Sequence, residues 1–265
     1  MKTTKKSYAK INLTLEILGT KRGDGFHDIA SVMHKVPSLF DEVTVELTDM
    51  GIFLECNKDV CAPEENLAYK AAEKYIHLYK SRTGKDFGVK IDIEKNIPAG
   101  AGLAGGSGNG AAVLDALSEL VGGLSENDIY EIALSLGSDV PFCLEKHTCA
   151  LCTGRGELIK DIRPLENVEF ELYFPKTPLP TKGIYGEYDK QYGDDYTKNK
   201  SVVMAELLEK GADIDEIARL MCNDFQPICI ARCPEIEEGC RILAEKGYFS
   251  QMSGSGSAVF GIRKA

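Results

Sequence analysis

Residues 98–112 read Pro-Ala-Gly-Ala-Gly-Leu-Ala-Gly-Gly-Ser-Gly-Asn-Gly-Ala-Ala, and six of these fifteen residues are glycine. The alternating stretch 89–93 before them predicts a strand, and the stretch 111–121 after them predicts a helix. A glycine-rich turn between a strand and a helix directs several backbone N–H groups at one point, where a phosphate group can bind. A flexible linker is the alternative, but linkers are seldom enclosed between a strand and a helix.

The composition is that of an ordinary globular protein. The chain has 265 residues, 43% hydrophobic content and a net charge of −10. This charge argues against nucleic-acid or membrane partners, so a phosphate site must depend on local backbone and a few lysines. No apolar stretch predicts a signal peptide or a membrane span. The nine cysteines are scattered and odd in number, which predicts reduced thiols and a cytoplasmic location.

Three cysteines and a histidine lie close together in the sequence, at Cys143, His147, Cys149 and Cys152. Four converging ligands of these types would suit a zinc ion. Residues 149–152, however, have the pattern of an apolar strand, whose alternation would place Cys149 and Cys152 on opposite faces. The strand is the favoured interpretation, and a metal site is the alternative.

Residues 7–18 alternate in character and predict the first strand. Its apolar face would carry every second residue from 11 to 17, and its polar face would carry Lys10, Asn12 and Thr14. Two interpretations of the polar face remain open. It is either a solvated surface, the usual case for an arbitrary strand, or a row of side chains that reaches a functional site.

Further along the chain, the pattern predicts separate strands at 29–33 and 42–48. A helix is predicted from its N-cap Asn66 to about residue 82. Residues 137–142, Gly-Ser-Asp-Val-Pro-Phe, predict a tight turn at Asp139 with an extended exit imposed by the proline. A turn-forming aspartate is the commoner explanation of such a pattern.

Five motifs follow one another along nearly the whole chain: Ala-Lys-Ile-Asn-Leu at 9–13, Gly-Phe-His at 25–27, Asn-Leu-Ala-Tyr-Lys at 66–70, the glycine-rich stretch at 98–107, and Gly-Ser-Asp-Val-Pro-Phe at 137–142. Their order resembles the GHMP kinase superfamily. The resemblance implies an α+β fold of two domains, an N-terminal domain over 1–158 similar to ribosomal protein S5 domain 2 and a ferredoxin-like C-terminal domain over 159–265. A late Ser-Gly-Ser-Gly-Ser stretch at 253–257, the Gly-Ser loop, would close or support the catalytic cleft.

The resemblance also implies a reaction and its residues. The γ-phosphate of ATP, with Mg²⁺, would pass to a hydroxyl of a small molecule, here a cytidine diphosphate-linked methylerythritol. Asp139 would be the general base, and Lys10 would keep it ionised. The ATP-binding residues would be Asn66, Pro98, Ala99, Gly100, Ala101, Gly102, Leu103, Ala104, Gly105, Gly106, Ser107 and Gly108. The substrate-binding residues would be Asn12, Phe26, His27, Thr181 and Tyr185.

Some residues of this chain differ from those usual in the family. The family usually has Gly-Leu-Gly-Gly-Gly-Ser-Ser through the phosphate loop, whereas this chain has Ala104 and Gly108 at two of those positions. The methyl group of Ala104 is costly only at a positive φ, and Gly108 lacks a hydroxyl for a phosphate or metal contact. Phe26 and Tyr185 would enclose the cytosine ring, and Phe26, often tyrosine in the family, retains the ring face that stacking requires. No metal ligand is assigned, although Ser107 is a candidate.

Three other functions fit parts of the sequence. The nearest is another GHMP kinase, acting on homoserine or mevalonate, but Phe26, His27 and Tyr185 favour a cytidine-bearing substrate. Residues 100–105 also match the Gly-x-Gly-x-x-Gly motif of dinucleotide-dependent oxidoreductases. That motif belongs to an early βαβ unit with an acidic residue after the next strand, where this chain has a predicted helix instead. A non-catalytic nucleotide-binding module would have no use for Lys10 and Asp139 together.

Overall fold

The computed structural model describes residues 1–19, 23, 25–177, 179, 183–192 and 197–265. The chain forms two compact units, each built from separate stretches. The first unit contains Met1–Ala9, Pro37–Ala99 and Ala104–His147, and the second contains Lys10–Val36, Gly100–Leu103 and Thr148–Ala265. Strands β1 (Lys2–Ile17) and β2 (Ile29–Thr48) therefore pass through both units. The predicted boundary between residues 158 and 159 stays a prediction.

The first unit combines a sheet with a layer of helices. Its elements are β3 (Ile52–Cys56), a 3₁₀ turn (Pro63–Glu65), α1 (Leu67–Thr83), β4 (Gly88–Glu94), α2 (Gly105–Leu120), α3 (Glu126–Leu136) and α4 (Val140–Cys143). β3 pairs in parallel with β4, and β4 pairs antiparallel with Glu42–Thr48 of β2. Alternate residues of these strands are apolar, so one face of the sheet forms a continuous core with α1 and α2.

The second unit holds the remaining elements: β5 (Cys149–Thr153), β6 (Leu158–Asp161), β7 (Val168–Tyr173), α5 (Ile184–Gln191), α6 (Lys200–Glu209), α7 (Ile214–Ala218), β8 (Cys222–Asn223), α8 (Gln226–Arg232), α9 (Glu235–Glu245), β9 (Phe249–Met252) and β10 (Val259–Lys264). β5 pairs antiparallel with β2 and β6, and β8 pairs in parallel with β1. β7, β10 and β9 form a separate antiparallel sheet in that order. Across the described ranges, no helix has both the length and the apolar character needed to cross a membrane.

β2 is one strand of 20 residues, so the prediction of two strands at 29–33 and 42–48 is wrong. The two predicted parts have different neighbours, because Ser31–His34 pairs with β5 and Glu42–Thr48 pairs with β4. Burial does not alternate between these two parts, since Lys35 is polar but buried and Pro37 and Ser38 are both exposed. Buried polar residues interrupt the alternating pattern without ending the strand.

α2 begins at Gly105, not at the predicted residue 111. Ala104 is its N-cap, and the N–H of Gly108 donates the first helical bond to the Ala104 carbonyl at 2.8 Å. Glycine is a poor helix former, which is why these first turns have the sequence pattern of a loop. Gly105, Gly108 and Gly110 are buried, so close packing stabilises a helix start that local propensity opposes.

The prediction of an extended segment after Asp139 is also wrong. Asp139 is the N-cap residue of α4, and Pro141 lies in the first turn of this short helix. A proline in the first turn costs no helical hydrogen bond, since its nitrogen occupies a position that has no acceptor within the helix. The proline therefore helps the helix to begin at the point where the sequence predicts extended chain.

Candidate active site

The polar face of β1 is buried, so its interpretation as a solvated surface is wrong. Lys10, Asn12 and Thr14 are only 3%, 1% and 0% exposed. The Lys10 ammonium donates to Asn12 Oδ1 at 2.7 Å, and Asn12 Nδ2 donates to Ser31 Oγ at 2.8 Å. Ser31 Oγ then donates to the Thr14 carbonyl at 2.6 Å. A chain of hydrogen bonds thus fixes a buried cation, an arrangement too costly for an ordinary surface strand.

Gly100–Leu103, the first part of the glycine-rich stretch, contacts the Gly-Ser loop within the second unit. Ser253 Oγ donates to the Gly102 carbonyl at 3.2 Å, and the Ala258 N–H donates to the Ala101 carbonyl at 3.1 Å. Gly102 has a φ of +78°, and a Cβ there would lie 2.3 Å from the Ser253 carbonyl oxygen. Only glycine fits at position 102. The hydrogen bonds and this close approach hold Gly100–Leu103 in place against the Gly-Ser loop.

The N-terminus of α2, in the first unit, forms the second part of the stretch. Because Gly108 donates the first helical bond, the N–H groups of Gly105, Gly106 and Ser107 have no acceptor within the helix. These groups and the helix dipole make a local positive end that suits an anion. The Lys95 ammonium lies next to this helix start, 3.1 Å from the position of a Cβ on residue 105.

A buried ion pair anchors the segment that leads into this stretch. Asp41 is completely buried and accepts from the Lys95 ammonium at 2.6 Å. The same carboxylate accepts from the N–H groups of Asn96 and Ile97 at 2.6 and 2.7 Å. The sequence pattern gave no sign of this pair, because its members lie far apart in the chain at the ends of two different strand segments.

Ala104 has a φ of +54° and a ψ of +28°, in the left-handed region. Because this φ is positive, the methyl group of Ala104 strains the backbone. The penalty for a residue with a Cβ in this conformation is about 1 kcal/mol. This methyl group also packs against the core of the first unit, which offsets part of that cost.

We expect Ala104→Gly to raise the free energy of unfolding, by up to about 1 kcal/mol, because glycine adopts this conformation without strain. Urea denaturation would measure the change. Ala99→Gly is the control, since Ala99 has no positive φ and glycine there adds only unfolded-state entropy. A less stable Ala104→Gly protein would mean that methyl packing outweighs the strain.

His27 and Tyr185, two of the predicted substrate-binding residues, meet in the second unit. Their rings are stacked with centroids 5.1 Å apart. The buried His27 also places Nε2 at 2.6 Å from Oδ1 of Asp189. A carboxylate only accepts, so Nε2 carries the hydrogen. Tyr185 and Asp189 are four residues apart on α5 and share one face of it, a relationship that sequence spacing could have revealed.

Phe26 lies in the same unit and is 44% exposed, with the Arg155 guanidinium 4.7 Å from its ring centroid. Arg155 lies in the turn between β5 and β6. The backbone that follows Phe26 is hydrogen-bonded to this turn, since the Ile29 N–H donates to the Gly154 carbonyl at 2.6 Å. One side of Phe26 is thus backed by a cation. The predicted residue Thr181 lies outside the described residues.

Asn66 and Asp139 belong to the first unit and both stand at helix starts. Asn66 Oδ1 accepts from the Ala68 N–H at 3.0 Å, which confirms Asn66 as the N-cap of α1. Asp139 is half-buried at the start of α4. Lys10 belongs to the second unit, so the pairing of Lys10 with Asp139 stays a prediction. In the part of the chain that the structure describes, no three His, Cys, Asp or Glu side chains are grouped to hold a metal ion.

Comparisons with known proteins identify the family. The model of the GHMP kinases N-terminal domain matches residues 66–147, and that of the GHMP kinases C-terminal domain matches residues 204–264. A 4-diphosphocytidyl-2-C-methyl-D-erythritol kinase from Thermotoga maritima is 36% identical over 256 residues, which is 97% of this chain and 90% of that relative. The chain belongs to the GHMP kinase family.

Other members of the GHMP kinase family are similar over the same length. A relative from Caldanaerobacter subterraneus with the same name is 40% identical over 99% of this chain and 88% of its own. A crystal structure of 4-(cytidine 5'-diphospho)-2C-methyl-D-erythritol kinase has a TM-score of 0.79 and 31% identity, covering 99% of this chain and 91% of that one. Homoserine kinase from Cytophaga hutchinsonii, with a TM-score of 0.71 and 15% identity over 100% and 85% of the chains, shares the fold alone.

These comparisons confirm the resemblance to GHMP kinases and the α+β fold of that family. The protein is an ATP-dependent small-molecule kinase, as members of this family are. The two family matches lie on either side of residue 158, although the compact units are assembled from interleaved stretches.

Proposed function

We propose that this GHMP kinase transfers the γ-phosphate of ATP to the 2-hydroxyl of 4-diphosphocytidyl-2-C-methyl-D-erythritol, in the non-mevalonate route to isoprenoid precursors. The observation that carries the proposal is the 36–40% identity, over almost the whole chain, to kinases that bear this substrate's name. The buried row of Lys10, Asn12 and Thr14 and the positive N-terminus of α2 support it, because phosphoryl transfer requires positioned cations and amides.

In the proposed reaction, the substrate hydroxyl oxygen attacks the γ-phosphorus and the bond to the bridging oxygen of ADP breaks. Asp139 takes the hydroxyl proton as the new bond forms. Lys10 balances the charge that develops on the transferred group. The hydrogen bond from Lys10 to Asn12 orients the ammonium before the substrate binds.

The proposed ATP site lies at the N-terminus of α2. The N–H groups of Gly105, Gly106 and Ser107 would bind phosphate oxygens, and Asn66 would lie toward the adenine. The Ser107 hydroxyl makes no hydrogen bond with any described residue, so it fits as a ligand for the Mg²⁺ that accompanies ATP. When bound, this ion would neutralise phosphate charge.

The proposed substrate site uses the aromatic residues of the second unit. Phe26 and Tyr185 would stack on the cytosine, since stacking needs an exposed ring face. His27 presents its Nδ1 to the substrate because Nε2 is engaged by Asp189. Asn12 would lie against the erythritol part.

Substrate assays test this proposal. Purified protein should consume ATP in the presence of the cytidyl substrate and leave homoserine and mevalonate unphosphorylated. Activity confined to homoserine or mevalonate would remove the substrate assignment while leaving the family intact.

Asp189 is expected to position His27 for substrate binding. Asp189→Ala should raise the KM for the cytidyl substrate about tenfold, the value of one hydrogen bond to a charged group at a half-exposed site. The KM for ATP and kcat should change less than about twofold. Asp189→Asn, which keeps an acceptor oxygen, should recover most of the loss.

Lys190→Ala is the matched control for Asp189, because Lys190 is exposed on the same helix. It should leave both KM values unchanged. An equal rise in the KM for ATP and for the cytidyl substrate in Asp189→Ala would indicate a general loss of structure and contradict the positioning role.

A further inference from the structure

Ser7 carries a buried hydroxyl without a hydrogen-bond partner. The residue is 3% exposed, and its Oγ has no partner among the described residues. Burying a hydroxyl without a partner destabilises a fold, so such a hydroxyl is a candidate for a contact with a bound ligand. Ser7 lies on β1 in the first unit, three residues before Lys10.

The Ser7 hydroxyl occupies the space of a missing side chain on α2. A Cβ on Gly108 would lie 2.4 Å from Ser7 Oγ, whereas its next neighbours, the Tyr8 carbonyl oxygen and Ser7 Cβ, would be 3.6 and 3.7 Å away. Oγ is therefore the one atom that excludes a larger residue at position 108. The Ser7 hydroxyl of β1 therefore lies where a side chain of residue 108 would lie, and Gly108 has no side chain.

This hydroxyl lies beside Gly108, the fourth residue of α2, which directly follows the three residues whose N–H groups lack helical acceptors and favour an anion. We propose that the Ser7 hydroxyl donates a hydrogen bond to a phosphate oxygen of ATP bound at the N-terminus of α2, replacing the hydroxyl that Gly108 cannot supply. The inference rests on the proposed ATP site. It adds a binding residue that lies outside the glycine-rich stretch.

Ser7→Ala tests the proposal. It should raise the KM for ATP about tenfold, as expected for the loss of a hydrogen bond to a charged group. Competitive inhibition by adenosine, which has no phosphate, should not change. The melting temperature should stay the same or rise, because the unliganded protein loses only an unpaired buried hydroxyl.

Ser118→Ala is the matched control, since it removes a buried serine hydroxyl that also has no partner among the described residues, from the far end of the same helix. It should leave the KM for ATP unchanged. A normal KM for ATP in Ser7→Ala would overturn the proposal. So would a Ser7→Ala protein that fails to fold, because its hydroxyl would then have a structural role.

The double variant Ser7→Ala with Gly108→Ser moves the hydroxyl from the strand to the helix. With Oγ of Ser7 gone, a Cβ at position 108 meets only ordinary contacts of 3.6 Å and more. The double variant should recover most of the ATP affinity, whereas Gly108→Ser alone should be less stable than the wild type. A double variant no better than Ser7→Ala would count against a shared role.

The wild-type protein separates this inference from the proposed function. If the wild type consumes ATP with the cytidyl substrate and Ser7→Ala does so with an unchanged KM, only the inference fails. If the wild type neither binds nor consumes ATP, the proposed function fails before the variant is considered.

Discussion

Asp139→Asn is expected to lower kcat by about 10²–10⁴-fold, the contribution usual for a general base. The amide has almost the same shape as the carboxylate but cannot take the substrate proton. Since Asp139 is proposed to act on the acceptor hydroxyl and not on the nucleotide, the KM for ATP should stay within about twofold. Steady-state assays with the cytidyl substrate would give both constants.

Asp86→Asn is a suitable control for this experiment. Asp86 lies in the same unit, and among the described residues its ion-pair partner is the exposed Lys80 at 2.6 Å. The same chemical change there should leave kcat unaffected. Near-normal turnover by Asp139→Asn would refute the assignment of the base, whereas equal losses in kcat and thermal stability would indicate damage to α4.

Asp41→Ala is expected to have the largest effect on stability, lowering the free energy of unfolding by about 3–5 kcal/mol. The substitution leaves the buried Lys95 ammonium without its carboxylate and removes the acceptor for the N–H groups of Asn96 and Ile97. These residues lead directly into the glycine-rich stretch. The KM for ATP should therefore rise together with the loss of stability.

Asp86→Ala provides the contrast, because both members of the Lys80–Asp86 pair are exposed to solvent. Exposed pairs contribute little, so its denaturation curve should overlay that of the wild type. If Asp41→Ala proved as stable as Asp86→Ala, the buried pair would not be what anchors residues 95–97. Urea denaturation of the three proteins at one ionic strength would decide.

The sequence predicted those features that depend on neighbouring residues. Helix α1 is an example, since Asn66 caps its start and its last residue, Thr83, lies next to the predicted end at about residue 82. The motif order also predicted the GHMP kinase fold, because motifs at 9–13 and 137–142 are specific even when each residue alone is ambiguous. The phosphate-binding character of the glycine-rich stretch remains a prediction that the start of α2 supports.

Features that depend on distant residues could not be predicted. Local propensity placed the start of α2 too late, because the packing that stabilises its glycines comes from elsewhere in the unit. The alternating pattern alone left open whether Lys10 and Asn12 face solvent or a site, because the residue that completes their network, Ser31, lies on another strand. The pairs Asp41–Lys95 and His27–Asp189 join residues with no sequence relationship, so only the fold brings them together.

The division of the chain has a consequence for the order of assembly on the ribosome. Every stretch of the first unit ends by His147, so that unit has all its residues before the rest of the chain has been made. The second unit includes Lys10–Val36, whose strand partners β5 and β8 come only after Thr148. The half-strand that carries Lys10 and Asn12 is therefore synthesised before the first unit is complete, but its own unit is completed after the first one.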